Sequence, residues 1–98
     1  MRFSWDEKKK KANPKKHRGI SFELAQEIFE DPYHIVLENY FVAEEGEQRK
    51  QAIGMSRNLL LLLVIFTERS VDGGVVIHII SARKANAYEQ STYEDQFK

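Results

Sequence analysis

Basic side chains concentrate in two segments, one near each end of the chain. The first, residues 8–18, holds six lysines, an arginine and His17. The second, residues 81–85, follows an apolar stretch and leads into a helix-forming segment. There Arg83, Lys84, a hydroxyl and the first amides of the helix could all face one anion. Together the two segments frame a nucleic-acid site if the fold brings them close.

The residue types near these segments could carry out acid–base and electrostatic chemistry on a bound phosphodiester. Such chemistry needs a group that accepts or donates a proton and cations beside the phosphate. His17 is a candidate base or acid because imidazole titrates near neutral pH; alternatively it bonds to backbone at a helix end. Arg49, Arg69 and Arg83 are candidate phosphate clamps because guanidinium matches phosphate oxygens bidentately. Each arginine could instead form a surface ion pair.

Two glutamates stand beside these arginines in the sequence. Glu68, next to Arg69, is a candidate catalytic base or a group that orients the arginine. Glu47, near Arg49, presents the same choice. We favour orientation for both.

Strand alternation bears on which residue of the last strand serves the site. In an ideal strand His78 and Arg83 point to opposite faces, so both can act together only if the strand ends or bulges near Ser81. This favours Arg83. His78 lies among Val and Ile residues, a pattern typical of a core or edge histidine.

A further set of cations could bind RNA through its phosphates. These are Lys8, Lys9, Lys11, Lys15, Lys16 and Lys84. Such contacts do not discriminate sequence and predict strong salt dependence; the alternative is a solvated helix face. Tyr88 and Tyr93 could stack on bases.

Composition limits the other function classes. With 98 residues and no cysteine, we expect one domain, residues 1–98, and no disulfide, zinc–thiolate or iron–sulfur site. Three histidines alone do not suggest a metal, and we expect no cofactor. The apolar run at residues 59–66 is too short to cross a membrane. The N-terminal segment turns charged at once, without an apolar signal core, which predicts a cytoplasmic location.

The formal net charge of zero conceals a segregated pattern. Residues 1–18 carry eight Lys or Arg against two acids, whereas residues 19–48 carry eight acids and no Lys or Arg. The blocks predict two surfaces with different partners, a polyanion on one and a basic protein on the other. The alternative is that they neutralise each other.

Local patterns predict an α+β fold. Asp6 begins a lysine-rich helix that Asn13-Pro14 ends or kinks, and Ser21 begins a second helix that Asp31-Pro32 stops. The remaining expectations are a first strand at residues 2–5, strands at 34–41, 48–56, 59–67 and 75–83, an acidic loop at 44–47, a tight turn at Asp72-Gly73-Gly74, and a last helix at 85–97.

The order and spacing of short motifs along nearly the whole chain closely resemble the BrnT family of bacterial toxins. The residues that carry the resemblance are Trp5-Asp6, Asn13, Lys16-His17, Ser21-Phe22, Phe29 with Asp31-Pro32, Arg49, Ile53-Gly54-Met55-Ser56, Thr67-Glu68-Arg69 and Ile80-Ser81-Ala82-Arg83-Lys84-Ala85. The sequence departs from the family where His78 replaces a residue that is mostly Arg, and where Gln90 replaces a basic residue.

The resemblance implies a function and a partner. BrnT-type toxins are similar in fold to the RelE group of small ribonucleases, with an N-terminal strand and two helices before an antiparallel sheet of three or four strands and a C-terminal helix. They inhibit translation by cutting RNA. A BrnA-type antitoxin, a ribbon-helix-helix protein that binds the operon's DNA, neutralises them in a hetero-oligomer, so this chain would contact DNA only indirectly. The alternatives are a noncatalytic RNA- or ribosome-binding module and an inactivated toxin.

Overall fold

A computed structural model of the chain describes residues 1–37, 41–42 and 46–98. In chain order the elements are β1 (Arg2–Trp5), α1 (Glu7–Lys16), α2 (Phe22–Gln26) with a 3-10 turn (Glu27–Glu30), β2 (Ile35–Val36), β3 (Phe41–Val42), β4 (Gln48–Met55), β5 (Leu61–Val71), β6 (Gly74–Lys84), α3 (Ala87–Glu94) and a final 3-10 turn (Asp95–Phe97). The predicted α+β class is confirmed.

The strands form a mixed sheet in the order β1-β6-β5-β4-β2, with β3 also paired to β4. β1 lies parallel to β6, with Phe3 opposite Ile77 and Trp5 opposite Ile79; the other pairs are antiparallel. The later strands therefore pair antiparallel as predicted, and the prediction did not specify the parallel pairing of β1 with β6. The intervening helices allow the parallel arrangement, because a parallel neighbour needs a long crossover connection.

One face of the sheet is covered by α2, as its apolar pattern predicts. Phe22, Ala25 and Ile28 are fully buried against it, and Ser21 caps the helix by accepting a hydrogen bond from Leu24 N at 3.0 Å. The following 3-10 turn approaches β4 so closely that a Cβ on Gly54 would lie 2.9 Å from Ile28 Cβ. Glycine is therefore required at this crossing.

β5 and β6 form the predicted hairpin. Asp72 and Gly73 adopt φ of 49° and 78°, the positive values that a two-residue hairpin turn requires. β5 lies between β4 and β6, as expected for its apolar sequence. It begins later than the predicted residue 59, because Leu59 has a φ of 65° and belongs to the preceding turn.

A β-bulge interrupts β6 at Ile80. Ile79 pairs with Phe66 and Ser81 pairs with Ile65, so β6 carries one extra residue at this point. The bulge changes the alternation of side chains: Ile79 and Ala82, three residues apart, both enter the core beneath α2. Residues opposite each other across a ladder share a face. His78, opposite Thr67, and Arg83, opposite Leu63, therefore lie together on the other face.

Asn13-Pro14 was predicted to end or kink α1; the helix does not end there and continues to Lys16 with Pro14 inside it. Asn13 is buried, at 4 % exposure. Its Nδ2 donates to Ile20 O and to Ala82 O, both at 2.8 Å, and its Oδ1 accepts from Ala82 N at 3.2 Å. Beyond the end of β1, the Asn13 side chain thus makes the hydrogen bonds to the Ala82 backbone that a neighbouring strand would otherwise make. These bonds hold α1 against the edge of β6.

Two other boundaries differ from the prediction. Within the strand predicted at residues 34–41, β2 covers residues 35 and 36, and residues 38–40 of that prediction lie outside the described part of the chain. The acidic loop predicted at residues 44–47 also lies partly outside the described part of the chain. The last helix begins at Ala87 rather than residue 85, because Asn86 is its N-cap and accepts a hydrogen bond from Glu89 N.

Asp31 joins three elements at the end of the α2 segment. Its carboxylate accepts hydrogen bonds from Tyr33 N at 2.8 Å, Met55 N at 2.8 Å and the Tyr93 hydroxyl at 2.7 Å. Burial opposes the charge, but these bonds keep the pKa of Asp31 below its usual value. Burial and Asp31 together raise the pKa of Tyr93 to about 12. Tyr93 is 5 % exposed and packs with Ile53 and Leu63, so it does not serve as a base-stacking surface.

Asn13→Ala should destabilise the fold by about 1–3 kcal/mol, because it leaves a buried backbone N–H and carbonyl of β6 without their partner. Urea unfolding measures the change. Gln90→Ala, an amide removed from an exposed helix position, is the matched control and should shift stability by less than about 0.5 kcal/mol. Equal stability of the two variants would contradict the proposed anchoring of α1.

Tyr93→Phe should cost about 1–2 kcal/mol at pH 7, because the Asp31 carboxylate loses a donor. Folding lowers the pKa of Asp31, so the stabilisation is fully present above the unfolded value of 3.8 and is lost as pH falls through the folded value. The difference between wild type and Tyr93→Phe should therefore shrink at pH 3. Tyr88→Phe, at a position that is 78 % exposed, is the control. If the stability difference between wild type and Tyr93→Phe does not change with pH, the hydrogen bond from Tyr93 to the ionised Asp31 is not its cause.

Candidate nucleic-acid interface and catalytic site

The fold brings the two basic ends of the chain together. A pocket of about 150 Å³ is lined by Lys16, His17 and Arg18 at the end of α1 and by Arg83 and Lys84 at the end of β6. We call it the basic pocket. Every lining side chain carries a positive charge or, for His17, can acquire one. Such a cavity suits a phosphate.

A longer groove adjoins the basic pocket between α1 and β6. It has a volume of about 320 Å³ and includes Lys8, Lys9 and Lys16 on the helix and Ser81 on the strand. His17 and Lys16 line both cavities, so the groove and the pocket are neighbours. Lys11 and Lys15 are exposed on α1 and line neither cavity.

Arg83 is held by a carboxylate of the chain itself. Its Nη1 and Nη2 donate to the two carboxylate oxygens of Glu89, each at 2.8 Å, and Nη1 also donates to Lys84 O at 3.2 Å. Glu89 is 8 % exposed and also accepts from Asn86 N. Burial opposes its charge, but the hydrogen bonds from Arg83 and Asn86 keep the pKa of Glu89 below its usual value.

This arrangement changes the anion site expected at the strand–helix junction. The carboxylate of Glu89 occupies the N-terminus of α3, where an external anion was expected to bind. Arg83 nevertheless keeps its Nε–H and one Nη2–H outside these bonds. These two donors lie side by side on the guanidinium and match two phosphate oxygens.

A second set of cations lies on the sheet face that carries Arg83, farther along the strands. Gln51 is opposite Ile65, so Arg49 and Arg69, each an even number of residues away, share their face. Arg69 Nη2 lies 3.4 Å from Glu47 Oε2. Glu47 therefore orients Arg69, rather than Arg49 as the sequence order suggested. We call Arg49, Arg69 and His78 the sheet-face cluster.

Glu68 does not join either group. It points to the face opposite Arg69, since consecutive strand residues alternate, and it accepts a hydrogen bond from Lys50 Nζ at 3.0 Å. The expected contact with Arg69 is therefore not formed. Of the five predicted catalytic residues, the structure places His17 and Arg83 in the basic pocket and Arg49 and Arg69 in the sheet-face cluster.

His78 joins the sheet-face cluster because it lies opposite Thr67, two residues from Arg69 on β5. Its Nδ1 lies 2.7 Å from Ser4 Oγ, so β1 supplies a partner that the sequence pattern did not indicate. Only the parallel pairing of β1 with β6 places Ser4 opposite His78, and no local signal predicts that pairing. Burial, followed by the charges of Arg69 and Lys9, lowers the pKa of His78 below its usual 6.5.

The described residues give no sign of a membrane span or a metal centre. None of the described helices is long and apolar enough to span a membrane. Nor do the described His, Asp and Glu side chains form a group of three or more that is placed to hold a metal ion.

Comparison with known proteins assigns the family. A solved structure with the same fold is that of the ribonuclease toxin BrnT from Brucella abortus, which is 27% identical, covers 88% of this chain and 97% of its own, and has a TM-score of 0.50. No significant match was found among curated protein sequences. The sequence profile described as the ribonuclease toxin BrnT of type II toxin–antitoxin systems matches residues 5–89. The chain therefore belongs to the BrnT family of ribonuclease toxins.

Proposed function

We propose that this chain is a metal-independent endoribonuclease that inhibits translation by cutting RNA. The observation that carries the proposal is the basic pocket, in which cations from both ends of the chain meet. A site of this charge binds phosphodiesters. The family supplies the ribonuclease class.

Within this proposal the basic pocket binds an RNA phosphate. Glu89 fixes Arg83 through one edge of the guanidinium, and the Nε–H and free Nη2–H bind the phosphate oxygens. His17 lines the same pocket and can donate a hydrogen bond or transfer a proton there. Because the guanidinium is already oriented, less rotamer entropy is lost when RNA binds.

The sheet-face cluster would stabilise the reacting phosphate. Arg49 and Arg69 share one face of the sheet, and Glu47 holds Arg69 by an ion pair. The lysines of α1 would guide the RNA along the adjoining groove without discriminating its sequence. Glu68 has no part in this arrangement, because it faces Lys50 on the other side of the sheet.

The type II toxin family implies an antitoxin partner. We infer that this partner is a BrnA-type protein with a ribbon-helix-helix DNA-binding domain. The toxin would then form a hetero-oligomer in the cytoplasm and contact DNA only through it. We further infer that residues 1–98 act as one RelE-like domain.

RNA incubated with the purified chain in excess EDTA should yield products with 2′,3′-cyclic phosphate ends. Arg83→Ala alone would leave Glu89 as a buried unpaired carboxylate, so the test variant is Arg83→Ala/Glu89→Gln. It should lower kcat/KM about 10- to 100-fold, the equivalent of one charged hydrogen bond to phosphate.

The matched control removes a similar ion pair far from the site. Arg57 binds Glu30 on the α2 side of the molecule, and both side chains are exposed. Arg57→Ala/Glu30→Gln should cleave as wild type does. If wild type binds RNA and leaves it intact, the proposed ribonuclease activity is wrong and a noncatalytic RNA-binding module is favoured. If cleavage requires a divalent cation, the proposed metal independence is wrong.

Replacing Lys8 and Lys9 with Ala should weaken RNA binding without abolishing cleavage at saturating RNA. For each lysine that neutralises a phosphate of a single strand, its removal should reduce the slope of log K against log salt by about 0.7. Lys11 and Lys15, which lie outside the groove, are the matched pair: Lys11→Ala/Lys15→Ala should change the slope less. Fluorescence anisotropy across a range of salt concentrations measures both, and equal slopes for the two double variants would contradict the groove as the RNA path.

A further inference from the structure

The sheet-face cluster contains a polar group to which the proposed function assigns no role. His78 is 9 % exposed and lies directly opposite Thr67 on β5. The Thr67 hydroxyl is 1 % exposed and has no hydrogen-bond partner among the described residues. An imidazole and an unsatisfied hydroxyl therefore stand side by side, two residues along β5 from Arg69. Unsatisfied buried hydroxyls are uncommon in packed cores.

The ring of His78 is held through one nitrogen. Nδ1 bonds the Ser4 hydroxyl at 2.7 Å, while Nε2 makes no hydrogen bond to any described residue. The hydroxyl of Ser4 can accept from Nδ1–H in the tautomer that leaves Nε2 with a lone pair, and it still accepts from Nδ1–H after Nε2 gains a proton; it donates to Nδ1 only in the other neutral tautomer. A serine partner thus supports the imidazole while it gains or loses a proton at Nε2.

Charges from every neighbouring element reach this imidazole. Arg69 of β5 and Lys9 of α1 are the cations, and Glu47 and Asp6 are the acids that oppose them. Glu47 is already paired with Arg69, and Asp6 caps α1. Burial and the two cations prevail, so the pKa of His78 is lowered and the neutral ring dominates at pH 7. A neutral imidazole is the form that can accept a proton.

We propose that His78, positioned by Ser4, is the general base of RNA cleavage. This inference rests on the proposed ribonuclease function. Nε2 accepts the proton of the 2′-OH, the 2′-oxygen forms a bond to phosphorus, and the bond from phosphorus to the 5′-oxygen breaks. The 5′-oxygen takes a proton from water, and the hydroxide so formed removes the proton from His78. Arg69 stabilises the charge on the phosphorane.

His78→Gln should lower kcat by about 100-fold or more, the usual contribution of a general base. A 2′-deoxy analogue of the substrate should bind this variant about as tightly as it binds wild type, since the step removed is chemical. In wild type, kcat/KM should fall as pH drops below the usual histidine value of 6.5, because protonated His78 cannot act as a base. The variant should lack this limb of the profile.

Two further variants distinguish proton transfer from other roles. His78→Arg retains hydrogen-bond donors and adds charge but cannot accept a proton at neutral pH, so it should be as slow as His78→Gln. Ser4→Ala should lower kcat less than His78→Gln does and shift the acidic limb. His17→Gln should retain the limb, because His17 lies in the basic pocket.

The outcomes separate this inference from the proposed function. If wild type cleaves RNA and His78→Gln or His78→Arg cleaves it as fast as wild type does, the role of His78 is overturned. The proposed ribonuclease function then still stands. Failure of wild type to cleave RNA overturns both. If the His78 variants do not fold, the wild-type NMR titration of His78 decides: its pKa must equal that of the kcat/KM profile, and a different value overturns the assignment.

Discussion

The bulge at Ile80 is the constraint on which the core and the site both depend. β6 must bury Ile79 and Ala82 beneath α2, and two positions three residues apart cannot share a face in a regular strand. The extra residue resolves this conflict, and it also brings His78 and Arg83 to the opposite face. Asn13 bonds Ala82 immediately beyond the bulge. The feature that completes the core therefore also fixes where α1 and its lysines lie.

Acidic residues of the chain hold its arginines in place. Glu89 holds Arg83 and Glu47 holds Arg69, each through a contact that joins two elements. Elsewhere Glu23 pairs with Lys10 and Glu30 with Arg57. Of these four pairs only Glu23 with Lys10 joins the acidic segment at residues 19–48 to a basic segment. The zero net charge coexists with a basic groove because the acids that pair lie mostly outside it.

The parts of the fold that could be predicted depend on local physics. Ser21 caps the helix that follows it, and the Asp72-Gly73 turn closes its hairpin through positive φ; both are determined within a few residues. The parallel pairing of β1 with β6 is a contact across the whole chain, and the Ser4–His78 bond follows from it. Asn13-Pro14 was expected to end or kink a helix from local preference alone, whereas the buried bonds of Asn13 to β6 are contacts across the chain that local preference does not reveal.

The candidate site was predictable in composition but not in arrangement. The basic types at both ends indicated phosphate binding, whereas the partners of the arginines did not follow from sequence order. Adjacent residues suggested that Glu68 would hold Arg69, yet strand alternation separates them and Glu47 takes that place. Short-range spacing is a poor guide in strands because neighbouring side chains diverge, while residues on different strands meet.

The two groups of cations must contact different phosphates. His78 and Arg83 are opposite Thr67 and Leu63, four residues apart on β5, which corresponds to about 13 Å along an extended strand. One phosphate cannot reach both. An RNA that engages the basic pocket through Arg83 and the sheet-face cluster through Arg69 must therefore lie extended along β6, past Ser81. This favours a single strand over a duplex, because a single strand can adapt its backbone to both contacts and exposes the reacting 2′-OH to the sheet.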